Sequence, residues 1–332
     1  MRLAIVGATG QIGQTFIQLL EEVSQDAQPQ QVRLVASQRS QGNTLRVCGK
    51  EVEIESLEVF DFSEVDCAFF ALNHALTKHY VPIARAHCRL VIDNSSAYRL
   101  DPTVPLIVPE VNFSHWYDLG CPNLISNPNC STAQMIIALH SIQTSFGIKR
   151  VDVATYQSIS GAGNQAIQDF KKKLTQFSNS ENQTSSALDV YPSIDSNMES
   201  GMTKEEMKMH WESQKIWRDD KITIQATCVR VPVLIGHAEA CHVETHREID
   251  WQILADNLDA QPGLTWHKDQ IVTPYKHAQG NNQVHVCRVR RDLTDPNRLC
   301  MWVVADNMRK GGAWNAIQIY MYWLNAEQRV SV

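Results

Sequence analysis

"MRLAIVGATGQIGQTFIQLL", residues 1–20, decides the fold. Leu3-Ala4-Ile5-Val6 is a short apolar run that stops at Gly7, the pattern of a strand buried on both faces of a parallel sheet. Beyond the glycines, Ile12, Phe16, Leu19, Leu20 and Val23 recur at helical spacing. Gly7, Gly10 and Gly13 therefore sit in a strand-to-helix turn. Their spacing lets bare backbone approach a diphosphate at the helix N-terminus. A tight turn without any ligand would carry the same glycines, so the dinucleotide reading leans on the strand–turn–helix context.

Working outward, strand-like runs recur at 32–36, 65–72 and 89–93, separated by stretches long enough for helices. That alternation predicts a Rossmann-like, doubly wound parallel sheet. Near 120–150 the pattern changes: "CPNLISNPNC" is turn-rich and "STAQMIIALHSI" (131–142) reads as a helix. Strand-like runs then dominate, at 151–159, 222–231, 240–245, 284–290 and 300–305. They predict a second, α+β domain on a mixed or antiparallel sheet. The Ser- and Asn-rich stretch 174–200 reads as an excursion or surface cover. The apolar helix "GAWNAIQIYMYWLNAEQ" is expected to pack back on the first domain. The division expected is 1–129 with 310–332 for the cofactor, and 130–309 for catalysis and dimerisation.

Composition narrows the function. A net charge of −6 over 332 residues offers no basic surface for nucleic acid or an anionic membrane. No run approaches roughly 20 apolar residues, so no membrane span is expected, and the N-terminus reaches glycine too early for a signal peptide. The nine cysteines are scattered, odd in number and without a CxxC pair, which points to a reducing compartment, the cytoplasm. His237 and Cys241 are four apart but lack a second pair, so no metal is expected.

Cys130 stands out among the nine. It follows "NPN" and opens a helix, where free N–H groups and the helix dipole would favour a thiolate. His237 lies in a glycine-containing turn between strands and could move protons for a thiol reaction. The second strand ends in Ser37-Gln38-Arg39-Ser40, with no acid for a ribose 2′-hydroxyl. Arg39 and the neighbouring hydroxyls suit a 2′-phosphate, hence NADP, unless Arg39 is only a solvated loop residue. Arg99 follows the strand at 89–93, and Arg230 lies on the strand leading to His237. Glu212 and Lys215 share a helix face at i, i+3, the spacing of an ordinary surface ion pair.

"GATGQIG", "VIDNSSAYR", "PLIVPEVN", "NPNCSTAQM", "TYQSISGAG", "EEMKMHWESQKI", "ATCVRVPVLIGH" and "VVADNMRKGGAWN", in that order, resemble the aspartate-β-semialdehyde dehydrogenase family over nearly the whole chain. The resemblance implies a homodimer that reversibly converts L-aspartyl 4-phosphate and NADPH to aspartate semialdehyde, phosphate and NADP, in lysine, threonine, methionine and diaminopimelate biosynthesis. It implies Cys130 as nucleophile, Gln157 as the residue orienting substrate, and His237 as acid–base group. It implies Arg230 for the substrate carboxylate, Glu212 toward its amino group, and Arg99 with Lys215 for phosphate. Gly7, Thr9, Gly10, Gln11, Ile12, Gly13, Arg39, Ser40, Ser160, Gly161 and Asn307 match cofactor-contacting positions.

Three places depart from the family pattern. Ala71-Leu72-Asn73-His74 replaces a run of small residues after the third strand. Ala238 replaces a usual serine, and Cys287 a usual glycine. The first raises an alternative: a catalytically impaired paralogue acting as a structural or regulatory partner. Such a copy would be expected to lose Cys130, Gln157, His237 or the cations, and all are present.

Overall fold

A computed structural model describes residues 1–178 and 188–330. The chain divides into two compact units, Met1–Pro128 with Gly312–Val332, and Asn129–Gly311.

The first unit opens with β1 (Arg2–Val6), α1 (Gln11–Leu20), β2 (Gln31–Ala36), β3 (Thr44–Val47) and β4 (Lys50–Ser56). β5 (Cys67–Phe70), α2 (His74–Arg85), β6 (Leu90–Asp93), the short α3 (Pro109–Asn112) and α4 (Ser114–Asp118), and β7 (Leu124–Ser126) follow. The sheet order is β3-β4-β2-β1-β5-β6-β7, parallel except for the antiparallel β3 edge. The chain winds outward from β1 through β2 to β4, then returns to β5 on the other side. The strand order thus reverses at the C-terminal end of β1, where ligands of such sheets bind.

The second unit contains α5 (Cys130–Phe146), β8 (Ile148–Gln157), α6 (Asn164–Ser178), α7 (Lys204–Trp217), β9 (Thr223–Arg230) and β10 (His237–Thr245). α8 (Trp251–Ala260), β11 (Leu264–His267), β12 (Val284–Arg291) and β13 (Arg298–Ala305) complete it. Its sheet is mixed, in the order β11-β12-β13-β10-β8-β9, with parallel pairs only at the two edges. α5 is buried almost all round, as its apolar sequence requires, and it packs on β10, β12 and β13. Of the Ser- and Asn-rich stretch 174–200, residues 179–187 lie outside the described residues.

The chain then returns to the first unit as α9 (Trp314–Val330). On one face of that unit's sheet, α9 gives the buried Tyr320 and Trp323 to a layer shared with Phe16 of α1 and Phe69 of β5. The Phe16 and Phe69 rings stack at 4.2 Å. Ala4, Val6, Phe70 and Val81 of α2 fill the other face. The predicted two-domain α/β architecture, a parallel-rich sheet and a mixed one, is what the chain forms.

Candidate active site

In the first unit the three glycines of the opening turn do different work. Gly7 takes a φ of +91°, and a Cβ there would lie 2.5 Å from the Ala71 carbonyl oxygen. A Cβ on Gly13 would strike the Gly7 carbonyl oxygen, so this glycine serves helix–turn packing. At Gly10 a Cβ would meet only the Gly7 oxygen, at 3.3 Å. Gly10 is also the N-cap of α1 and makes no side-chain cap. Bare backbone at an uncapped helix start is a cradle that fits the diphosphate of a dinucleotide. Thr9, Gln11 and Ile12 are half-buried beside it. Arg39 is exposed and Ser40 half-buried in the turn after β2. One carboxylate does reach this turn: Glu58 accepts a hydrogen bond from Ser56, and the Gln38 amide helps hold its pKa down. Arg99 is buried, and its guanidinium donates to the Asn94 carbonyl at 3.0 Å.

The departures after β5 have structural work. Leu72 packs against the apolar layer beneath α2, and Asn73 caps α2, its Oδ1 accepting from the Leu76 amide at 3.0 Å. Ala238 and Cys287 are neighbours in one small apolar cluster with Val272, Ala278 and Val304. Ala238 alternates with His237 along β10, so this cluster lies on the face of the sheet opposite His237.

In the second unit Cys130 is the first residue of α5 and is half-buried. Its N-cap is Asn129, whose Oδ1 accepts from Ser131 N at 2.9 Å and Thr132 N at 3.3 Å. The Ala133 amide donates to the Asn129 carbonyl at 2.9 Å. The free N–H groups expected at this helix start are therefore largely taken by Asn129. The dipole remains, but Ser131, Thr132 and Ala133 have no amide to spare for an oxyanion. Gly311 packs directly on the cysteine, since a Cβ there would come within 2.6 Å of the Cys130 Cβ. Nothing in its sequence context marks Gly311 apart from other glycines.

α7 starts with a capping box. Glu206 N donates to Thr203 Oγ1 and Thr203 N to Glu206 Oε2, at 3.3 and 2.7 Å. So anchored, α7 packs on α5 and β9 and turns Glu205 and Glu212, two turns apart, toward Asn129. The Asn129 amide N–H donates to Glu212 Oε2 at 2.7 Å, and its Nδ2 donates to Glu205 Oε1 at 2.9 Å. Glu205 Oε1 also accepts from Gln157 Nε2 at 3.3 Å. Glu212 is thus buried and holds a backbone donor. Lys215 is half-buried on the same helix.

Gln157 ends β8, Arg230 ends β9 and His237 opens β10. The turn into β10 needs Gly236, at φ +93°, whose Cβ would sit 2.9 Å from that of Pro274. His237 is fully buried, and Nδ1 accepts from the Ser158 amide at 3.0 Å. The neutral ring therefore carries its proton on Nε2. Burial and the Arg230 guanidinium push its pKa down to about 3. Gly161 keeps the two groups close, since a Cβ there would be 2.9 Å from Arg230 Nη1 and 3.2 Å from His237 Cε1. Arg230 donates to the Ser158 carbonyl at 2.6 Å; burial lowers the arginine's pKa, which the nearby Cys130 partly opposes. Ser158, Ser160 and Asn307 form one buried network. Asn307 Oδ1 accepts from Ser158 Oγ, Ser160 Oγ and Gly236 N at 3.0, 3.1 and 2.9 Å.

The second unit thus brings together Cys130, Gln157, Ser160, Gly161, Glu212, Arg230, His237 and Asn307. Gly7–Gly13, Arg39, Ser40 and Arg99 belong to the first. Sequence reasoning missed Asn129, Ser158, Glu205 and Gly311. A capping asparagine before the cysteine was readable from "PNC"; the others depend on contacts distant in sequence. It also missed that Tyr191, in the stretch read as a cover, exchanges two backbone hydrogen bonds with Arg230, at 2.9 and 2.8 Å. Among the described residues no cluster of His, Cys, Asp and Glu could hold a metal ion, and no helix is long and apolar enough to cross a membrane.

A dinucleotide cradle on one unit and a Cys–Gln–Arg–His group on the other define a semialdehyde dehydrogenase. Residues 2–118 match the family model described as "Semialdehyde dehydrogenase, NAD binding domain", and residues 139–310 the one described as "Semialdehyde dehydrogenase, dimerisation domain". A Vibrio cholerae protein, aspartate-semialdehyde dehydrogenase 2, is 43% identical over 324 residues, covering 96% of both chains. The aspartate-semialdehyde dehydrogenase of Aquifex aeolicus is 42% identical with 96% of each covered. The crystal structure of the Vibrio cholerae aspartate semialdehyde dehydrogenase II complexed with ASA superposes with a TM-score of 0.92 at 41% identity, covering 98% of both chains. The chain belongs to the aspartate-semialdehyde dehydrogenase family. It carries that family's nicotinamide-dinucleotide and dimerisation domains, and nothing favours an impaired copy.

Proposed function

We propose that this protein is a homodimeric, NADP-dependent aspartate-semialdehyde dehydrogenase of amino-acid biosynthesis, working in the cytoplasm. It would interconvert L-aspartyl 4-phosphate and aspartate semialdehyde through a thioester on Cys130. The observation that carries this reading is that Arg230 and His237 meet at Gly161, with Cys130 near Arg230 and Gln157 paired to Arg230 across β8 and β9, in a chain 43% identical to a relative of that name. Nine free cysteines support a reducing compartment.

In the reductive direction the Cys130 thiolate attacks the acyl phosphate; the C–S bond forms as the C–O bond to phosphate breaks. Arg99 and Lys215 are the cations assigned to the leaving phosphate. Arg230 takes the α-carboxylate, and Glu212 attracts the amino group. Gln157, its Nε2 held by Glu205 and Thr155, orients substrate by offering its amide oxygen to a donor such as the α-ammonium group. The cofactor, when bound, supplies the hydride that separates the thioester from the thiohemiacetal. Gly7 to Gly13 cradle its diphosphate, with Ser160, Gly161 and Asn307 as further contacts. Arg39 and Ser40 face its 2′-phosphate. His237 meets the developing oxyanion with the proton on Nε2. To act as a shuttle it must pass through the imidazolium, which burial first and the neighbouring Arg230 second disfavour. A substrate carboxylate on Arg230 would offset that guanidinium and so remove the smaller of the two effects that hold His237 neutral.

Purified protein with aspartate semialdehyde, phosphate and NADP should form NADPH, and omitting phosphate should stop steady turnover. Arg39→Ala should lower kcat/KM for NADP about tenfold while leaving NAD unchanged, the scale of one charge-assisted hydrogen bond. Equal kcat/KM for NAD and NADP in the parent protein would rule out the 2′-phosphate reading.

A further inference from the structure

Glu205 is 6% exposed and sits at the centre of the hydrogen bonds that surround the nucleophile's helix start. Its Oε1 accepts from Asn129 Nδ2 at 2.9 Å and from Gln157 Nε2 at 3.3 Å. Its Oε2 accepts from Lys208 Nζ at 3.1 Å. Lys208 in turn donates to Asp195 at 2.7 Å. A carboxylate is needed here, because three donors converge on it and none can accept. Asp195 holds its end of the chain from a left-handed backbone conformation, φ +69°, which costs a non-glycine residue about 1 kcal/mol. It does so from the segment that also pairs with the Arg230 backbone at Tyr191.

We propose that Glu205 is a positioning residue for the reaction. Its carboxylate fixes the two amide side chains, Asn129 and Gln157, that flank Cys130, and the Lys208–Asp195 pair fixes the carboxylate. This rests on the assignment of Cys130 and Gln157 above. With Nε2 of Gln157 tied to Glu205, the amide oxygen is the end left for substrate. With Nδ2 of Asn129 tied likewise, Oδ1 must face the α5 amides, which sets where the helix begins and where its first side chain points. Removing the acceptor leaves Gln157 Nε2 with Thr155 Oγ1 alone, at 3.3 Å, and Asn129 with the α5 amides on Oδ1 alone, so both side chains are held less firmly. Angstrom-scale misplacement of reacting groups costs on the order of a hundredfold in rate.

Glu205→Leu keeps the size and removes the acceptor. Its kcat should fall about a hundredfold with KM within a factor of a few, the signature of lost orientation rather than lost binding. The second readout is the pH profile of Cys130 alkylation by iodoacetamide, which needs neither substrate nor cofactor. In Glu205→Leu the profile should shift along the pH axis. If the parent enzyme fails to turn over aspartate semialdehyde, the functional reading fails while the alkylation shift still tests Glu205. A folded Glu205→Leu protein with parental kcat and a parental alkylation profile overturns the proposal. Lys208→Met, which leaves Glu205 in place, should lower kcat three- to tenfold. Should Glu205→Leu not fold, parental kcat and alkylation in both Lys208→Met and Glu205→Gln overturn it instead.

Discussion

His237 shows how far a residue's chemistry departs from its type. In water an imidazole titrates near neutrality. Here burial and Arg230 hold the ring neutral down to a pKa of about 3. The consequence for stability has a definite sign. Between the unfolded value near 6.5 and the folded value the unfolded chain binds a proton that the native protein does not, so stability falls as pH drops through that window. Urea unfolding from pH 7 to pH 5 should show this loss, up to about 1.4 kcal/mol per pH unit from this group. His237→Asn, which can still accept from the Ser158 amide, should flatten the slope by that amount. An unchanged slope would mean that the ring is not buried neutral. Sequence context marked His237 as a candidate, but what sets its chemistry, burial first and then Arg230 across Gly161, comes from other parts of the chain. Cys130 was legible as a candidate for a local reason, a proline just before a helix start. Glu205 was not, because a glutamate two turns before another on a helix looks like solvent-facing charge until the neighbouring helix is in place.

At the scale of elements, the strands of the first unit that were legible, β1, β2, β5 and β6, read as apolar runs. β4, "KEVEIES", is mostly charged, and β3 joins it through Cys48-Gly49, both at positive φ. A cysteine where asparagine or aspartate usually sits hid that two-residue turn. α2 carries Pro82 and few buried residues, so no apolar stripe announced it. The glycine turn after β1 was legible as a motif, but not the division of labour within it. That division predicts opposite outcomes for two substitutions. Gly13→Ala should destabilise the protein by about 1–3 kcal/mol, since its Cβ meets backbone that cannot yield. Gly10→Ala should leave the melting temperature near the parent's and raise the KM for NADP. Thermal unfolding and cofactor titration of the two variants decide it; a Gly10→Ala protein with unchanged KM would remove the diphosphate from this turn.

At the scale of the molecule, the two units divide the work. One provides the glycine turn, Arg39 and Arg99. The other provides Cys130, Gln157, Arg230 and His237, together with the residues that match the dimerisation domain. Chain-wide sequence order made this division legible, because the motifs of each unit are contiguous apart from the returning α9. On this reading Cys130 carries the acyl group between aldehyde and phosphate. Rapid mixing of the protein with aspartate semialdehyde and NADP, without phosphate, tests it most directly. The prediction is a burst of about one NADPH per subunit, an acyl adduct on Cys130 by intact mass, resumed turnover when phosphate is added, and none of these in Cys130→Ala. Phosphate-independent steady turnover with no adduct, or a parental burst in Cys130→Ala, would contradict it.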